Sequence, residues 1–360
     1  MRVKLKELGR ISTGNTPSKN VPEFYSSEDI GFVKPDIISE LQIDYIENTT
    51  EYLSEKARNK ARIVKKDAIF VTCIGNIGKI GIAKNKEFAF NQQINAIEPN
   101  EKILPEYLAY GIFANKRRLQ AIANAPVVPI INKTQFSEFE IEIISDKKEQ
   151  LKIVELLDKV RKIITKQKEE LEKLDTLVKS RFIEMFGDPI LNEKNWNTEI
   201  WENVLIIVNG RNQKGVEDDD GHYLICGSGG VIGKASQYLV NANSVIVGRK
   251  GNINKPILMR EKYWNVDTAF GLEPNIEKIN ADYLYMFCKF FDFETLNKAV
   301  TIPSLTKSDL LKIEMPIPPI ELQNQFADFV KQVDKSKLLV QKSLEQTQQL
   351  FDSLMQKYFL

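Results

Sequence analysis

Cysteine, histidine and net charge are all scarce in this chain of 360 residues. The three cysteines, Cys73, Cys226 and Cys288, are an odd number at wide spacing, with no CxxC pair and no Cys/His cluster. That supports neither a disulfide framework nor a zinc site. The single histidine, His222, stands beside the acidic run Glu217 to Asp220 and reads as a solvated side chain. Long apolar runs are also missing. No stretch approaches the roughly 18 uncharged apolar residues of a membrane span, and the opening residues have no apolar signal core. The expectation is a soluble, cytoplasmic protein with reduced thiols and no membrane partner. The formal net charge is +1, from 50 Lys+Arg against 49 Asp+Glu. A strongly basic protein that coats nucleic acid is excluded, whereas a local basic patch is not.

Catalytic signatures are absent as well. There is no GxxxxGK[ST] loop, no GxGxxG after a strand and no G-x-S-x-G elbow. The Asn/Asp-Pro-Pro-aromatic motif of amino-methyltransferases is missing; Pro318-Pro319 lies between Ile317 and Ile320. The acidic residues fall mostly on helix faces, as solvated faces do. The chain is therefore expected to be no enzyme and to hold no metal.

What is present is a repeat. With 42% hydrophobic and 9% aromatic residues, the chain has material for two or three cored domains. Ile69-Phe70-Val71 and Gly75-Asn76-Ile77 recur as Val245-Ile246-Val247 and Gly251-Asn252-Ile253, at an offset of 176. Pro129 meets Pro303 at an offset of 174, while Gln150 meets Gln323 and Phe186 meets Phe359 at 173. A slowly drifting offset means small loop insertions between related units. Each half reads as short β-rich runs punctuated by Gly, Asn and Pro, with short helices such as Pro105 to Ala121 and Ala281 to Ala299. Each half then ends in a long charged helical segment.

Those segments carry a ladder with steps of 4 and 3. The first reads Ile153, Leu157, Val160, Ile164, Gln167, Leu171, Leu174, Val178, Arg181, Met185. The second reads Phe326, Val330, Val333, Lys337, Val340, Leu344, Thr347, Phe351, Leu354, Tyr358. A mean spacing of about 3.5 is the period of a left-handed coiled coil. Two amphipathic helices on separate domains are the plainer reading. However, 40 residues span about 60 Å, longer than a globular helix needs, and such helices want a partner. One domain of about 130 residues lies between the end of the first and the start of the second. Its gyration radius of ~14 Å bridges neighbouring ends more readily than ends 60 Å apart. The prediction is an antiparallel pair with a domain at each end and an approximate two-fold axis inside one chain. The polar ladder residues Gln167, Arg181, Lys337 and Thr347 are expected to fix its register.

Loops at matching places in the halves combine cations with amides. The candidates for DNA contact are Thr16, Ser18, Lys19, Asn20, Lys34, Asn76, Lys79, Asn91 and Gln92 in the first half. In the second they are Arg211, Asn212, Gln213, Lys214, Ser228, Arg249, Lys250 and Asn252. Lys and Arg neutralise phosphate; Arg reads guanine, and Asn or Gln reads adenine. Such loops are also ordinary turns.

The chain resembles the specificity (S) subunit of Type I restriction–modification systems along its whole length. The carriers are Leu5-Lys6-Glu7-Leu8-Gly9, Gly14-Asn15-Thr16-Pro17-Ser18, Phe32 to Ile37, Thr72 to Ala83 and Asn91-Gln92-Gln93. Glu149-Gln150, Phe182 to Pro189 and Met315 to Gln323 complete the set. The resemblance implies an α+β fold of two tandem mixed α/β target-recognition domains joined by two long helices. Residues 1–145 and 188–317 would be the recognition domains, and 146–187 and 318–360 the helices. Each domain would read half of a bipartite double-stranded DNA site. The helices would set the gap and dock two methyltransferase subunits, with restriction subunits joining that core. S-adenosylmethionine and ATP would sit on those partners, with no cofactor in this chain. Two other readings stay open on the residues alone: a coiled-coil scaffold that binds protein, and an enzyme using His222 with Asp218 to Asp220.

Overall fold

The computed structural model describes residues 1–123, 128–297 and 302–360. The fold is mixed helix and sheet, and the chain forms two compact units, residues 1–166 with 344–360, and 167–343. Each long helix thus gives part of its length to each unit.

In the first unit a five-stranded sheet runs in the order Gly9–Thr13, Ile94–Pro99, Ile69–Thr72, Ile80–Ala83, Ile43–Ile46. A second sheet pairs Ile30–Val33 with Phe88–Phe90 in parallel. These strands are short and rich in Ile, Val and Phe, and several are buried along their whole length. In the second unit a four-stranded sheet runs Leu205–Asn209, Ala269–Pro274, Ser244–Gly248, Ile257–Met259. Its companion sheet pairs Tyr223–Gly227 with Tyr263–Asn265 in parallel. The two main sheets repeat the same strand order, with Ile43–Ile46 added at one edge of the first, whereas the companion sheets have four strands in the first unit and three in the second.

The first long helix spans Lys147–Phe186 and the second Ile320–Phe359. The first ends at Gly187, whose φ of 74° is left-handed and whose N–H donates to the Ile183 carbonyl, a glycine stop. Pro318-Pro319 stand directly before the second. Every apolar ladder residue is buried or half-buried. Ile153, Leu157, Val160 and Ile164 share the first unit's core with Phe351, Met355 and Phe359. Val178, Phe182 and Met185 share the second unit's core with Phe326, Val330 and Val333. Polar ladder residues pair between the helices: Gln167 Nε2 donates to Ser343 Oγ at 2.8 Å, and Lys337 meets Asp175 at 2.7 Å.

One buried glutamine fixes the start of each long helix. Gln150 is fully buried; its Oε1 accepts from the Leu104 N–H at 2.9 Å and its Nε2 donates to the Ile144 carbonyl at 2.7 Å. Gln323 does the same with the Asn280 N–H at 3.0 Å and the Pro318 carbonyl at 2.8 Å. One phenylalanine closes each core. Phe359 lies 4.9 Å from Tyr107 in the first unit, and Phe186 lies 5.1 Å from Tyr283 in the second.

Two expected helices are shorter than the sequence pattern implies. The run Pro105 to Ala121 breaks at Asn115, giving Pro105–Ala114 and Lys116–Ala121. Asn115 is buried and its amide donates to the Gly111 and Phe359 carbonyls, so a tertiary contact sets the break. The helix expected to reach Ala299 stops at Phe290. Asp292 then caps a short turn, and Phe291 packs on Phe287 and Phe293. Lys298 and Ala299 lie outside the described residues. Among the described residues no helix is long and apolar enough to cross a membrane.

Phe359→Ala should cost about 3–4 kcal/mol through its cavity, with hydrogen exchange placing the loss in the first unit. Gln323→Ala should cost about 2–3 kcal/mol by orphaning buried backbone groups, read from urea denaturation, with exchange rising in the second unit.

Candidate nucleic-acid interface

Strand register gathers the candidate loops at one end of each unit. In the first unit Thr13 pairs with Asn95, Thr72 with Ile94, Val71 with Ile80 and Val33 with Phe90. The loops 14–20, 34–42, 73–79 and 91–93 therefore leave the sheets together. Gly14 passes so close to the backbone that a Cβ there would lie 2.2 Å from the Asn91 carbonyl oxygen. That approach brings Thr16 to Gln92, with Oγ1 donating to Oε1 at 2.8 Å. Asn15 bridges the Lys60 carbonyl and the Arg62 N–H.

In the second unit Asn209 pairs with Phe270, Gly248 with Ala269 and Cys226 with Asn265. The loops 210–216, 228–230, 249–256 and 266–268 converge in the same way. The Arg211 N–H donates to the Asn265 carbonyl at 3.0 Å and the Arg249 N–H to Thr268 at 2.8 Å. One feature is common to both ends. Gly75 donates to the Pro129 carbonyl and Gly251 to that of Pro303, each at 3.0 Å.

Most candidates lie at the surface. Thr16, Ser18, Lys19, Asn20, Asn76, Gln92, Arg211, Asn212, Lys214, Arg249, Lys250 and Asn252 are exposed. Gln213 and Ser228 are half-buried. Lys19, Arg211, Lys214, Arg249 and Lys250 make no ion pair among the described residues, and the Arg249 guanidinium lies 5.7 Å from the Phe270 ring centre. Other candidates are committed inside the protein. Lys34 is ion-paired with Glu51, and Lys79 Nζ donates to the Pro35 carbonyl at 2.9 Å. The exposed Asn76 donates to Glu40 at 2.8 Å. That bond and the nearby Lys116 hold the Glu40 carboxyl below its usual range.

The rest of the chemistry matches a binding surface. The three cysteines are buried and free. Burial raises the Cys73 thiol to about 12 and the Cys226 thiol to about 11, so neither forms a ready thiolate nucleophile. Among the described residues no group of three or more His, Cys, Asp and Glu is placed to hold a metal.

Residues 1–173 and 192–349 match the model of a family described as the Type I restriction modification DNA specificity domain. The chain belongs to that family. The Type I restriction enzyme MjaIX specificity subunit of Methanocaldococcus jannaschii is 24% identical, over 98% of this chain and 91% of its own. The HindI specificity subunit of Haemophilus influenzae is 32% identical over 43% of this chain and 35% of its own. The solved S subunit from M. genitalium aligns with a TM-score of 0.66 at 15% identity, over 100% of this chain and 96% of that one. A chain solved in work on assembly and conformational transition of the type I R-M system aligns at 0.62 and 16%, over 99% and 97%. These two share the fold.

Within this specificity-family fold, the placement of Asn91 corrects the sequence expectation of a surface reader. It is buried; its amide donates to Gln93 Oε1 and its Oδ1 accepts from the Gln93 N–H. Its counterpart Asn265 is also buried and donates to the Val208 and Ala269 carbonyls at 3.2 Å. Both hold the turn that follows a strand. The available signal was the recurrence of an Asn after an aromatic residue, Phe90-Asn91 and Trp264-Asn265, at an offset of 174. Asn91→Ala should lower stability by about 1–2 kcal/mol. Gln92→Ala, in the next position, should stay within about 0.5 kcal/mol of the parent. Urea denaturation of the two variants checks the difference.

Proposed function

We propose that this chain is the non-catalytic DNA sequence-specificity subunit of a Type I restriction–modification complex. The single observation that carries this is the doubled reading end. Two units with main sheets of one strand order gather exposed cations without ion pairs beside amide side chains, Lys19 in the first and Arg211, Lys214, Arg249 and Lys250 in the second, within a chain of the specificity family. Residues 1–145 and 188–317 act as the recognition domains, and each reads one half of a bipartite double-stranded DNA site. Residues 146–187 and 318–360 form an antiparallel coiled coil that relates the two halves by an approximate two-fold axis. The shared cores support that pairing, because the start of one helix packs with the end of the other in each unit.

The coiled coil is the ruler. A shift of one base pair moves a half-site ~3.4 Å along the duplex and turns it by about a tenth of a revolution. A stiff link therefore discriminates spacing, and it makes the second half-site contact effectively intramolecular. The same helices dock two methyltransferase subunits, and restriction subunits join them in the cytoplasm. S-adenosylmethionine and ATP belong to those partners. With a net charge of +1, the chain leaves much of the phosphate neutralisation to them.

The test is a methylome. Co-expression with the cognate methyltransferase subunit in a methylation-free host should yield methyladenine in a split motif with a fixed gap. A stable protein complex with no motif would instead favour the scaffold reading. Arg249→Ala should relax one half of the motif and leave the other intact. Equal loss in both halves would assign Arg249 to folding or general affinity.

A further inference from the structure

The two units part company after equivalent strands. In the first, the chain leaves Ile30–Val33 and then adds Ile43–Ile46 to the main sheet, parallel to Ile80–Ala83. In the second, the chain leaves Tyr223–Gly227 and folds straight back as Gly230–Ala235. Gly230 has a φ of 113°, which this tight reversal requires. The result is a hairpin at one side of a three-stranded sheet, with Gly230–Ala235 as the edge strand and Tyr223–Gly227 held on its other side by Tyr263–Asn265.

That outer strand is unusual in what it exposes. Val231 is 58% and Ile232 60% exposed, and neither joins a buried cluster. The register shifts here, with Ile225 opposite Gly233 and Cys226 opposite Val231, so Ile232 is the extra residue of a β-bulge and the pair sits at an irregular point of the edge. Edge strands are normally blunted with charge or proline. Here the apolar pair begins one residue after the turn, with Val231 opposite Cys226.

The setting of the tip gives the pair a use. A Cβ on Gly229 would lie 3.7 Å from Asn252 Nδ2, and one on Gly251 would lie 3.9 Å from Ser228 Oγ. The exposed Arg249 and Lys250 sit in that same loop. The other end of the ribbon is acidic. The Asp218 N–H donates to the Lys234 carbonyl, and Glu217 bridges to Ala235. The run Asp218 to Asp220 thus lies at the ribbon's base. Phosphates are repelled there and accepted at the tip. Past the Cys226–Asn265 pair only the two hairpin strands continue, and a two-stranded ribbon fits the major groove of B-DNA, about 12 Å wide. The one apolar group that bases present in that groove is the 5-methyl of thymine.

We propose that the tip of ribbon 223–235 enters the major groove and that Val231 and Ile232 read thymine through its 5-methyl group. This rests on the DNA-specificity role proposed above and adds an apolar readout to the polar candidates.

The experiment uses the full chain in complex with its methyltransferase, on duplexes carrying the split motif found in the methylome. Each thymine in the motif is replaced in turn by deoxyuridine, which removes the methyl alone. The wild-type complex should methylate about fourfold more slowly at one or two positions within a single half-site, the worth of one buried methyl group. Val231→Ser and Ile232→Ser should lose that discrimination while still co-purifying and melting as the parent does. Three results would overturn the proposal: a wild-type complex indifferent to uracil throughout, variants that discriminate as the parent does, or a motif without thymine. Failure of the specificity role itself looks different, because no split motif would appear.

Discussion

Each unit is closed by the start of one long helix and the end of the other. In the first unit Gln150 seats the start of helix one while Phe359, near the end of helix two, caps Tyr107. In the second unit Gln323 seats the start of helix two while Phe186, at the end of helix one, caps Tyr283. The first unit therefore cannot complete its core from contiguous chain; residues 344–360 must return to it. Contacts of such long sequence separation are entropically slow to form. They also tie the condition of the helices to that of the cores. A helix with 40 mostly solvated residues is marginal by itself, and here both ends are held by packed aromatic residues and buried amide hydrogen bonds.

The duplication separates scaffold from reader. Features that recur at matching positions serve the backbone: Gln150 and Gln323, Asn91 and Asn265, the Gly75–Pro129 and Gly251–Pro303 hydrogen bonds. A group needed identically by both units is poorly suited to making them differ in what they recognise. Features that differ lie around the reading ends. Lys34 follows the strand Ile30–Val33 and is neutralised by Glu51, whereas Ser228 and the glycine turn stand after Tyr223–Gly227. The first unit turns the following chain into a sheet edge and the second turns it into a ribbon. Strand order tolerates this exchange because both segments lie outside the buried strands shared by the units.

Legibility in the sequence followed the range of the interactions. The long helices were readable to within a residue or two because a 3.5-residue period over 40 positions, a Gly187 stop and the Pro318-Pro319 start are local signals. The short helices were not. Asn115 breaks one by bonding to the Phe359 carbonyl, 244 residues away. The same limit governed the site. Loop position and side-chain type picked out loops that the sheets gather at one end of each unit, but partners distant in sequence decide which side chains are free. Lys34 meets Glu51, Lys79 meets the Pro35 carbonyl, and Asn91 turns inward. The apolar pair Val231-Ile232 gave no sequence signal, since its meaning comes from an unpaired edge that only topology reveals.

Near-neutral charge then becomes a constraint on mechanism. Many cations outside the reading ends are matched by acids, as Lys4 and Lys6 are by Glu138, which they hold down to about 2. At the reading ends Lys19, Arg211, Lys214, Arg249 and Lys250 are left without ion pairs among the described residues. A chain whose acids nearly balance its cations, at a net charge of +1, draws little sequence-independent affinity from phosphate. Discrimination then rests on base contacts and on the spacing between two modest sites. On the proposed reading, rigidity of the helix pair would then matter as much as any single base contact, because a slack link would let either site bind alone.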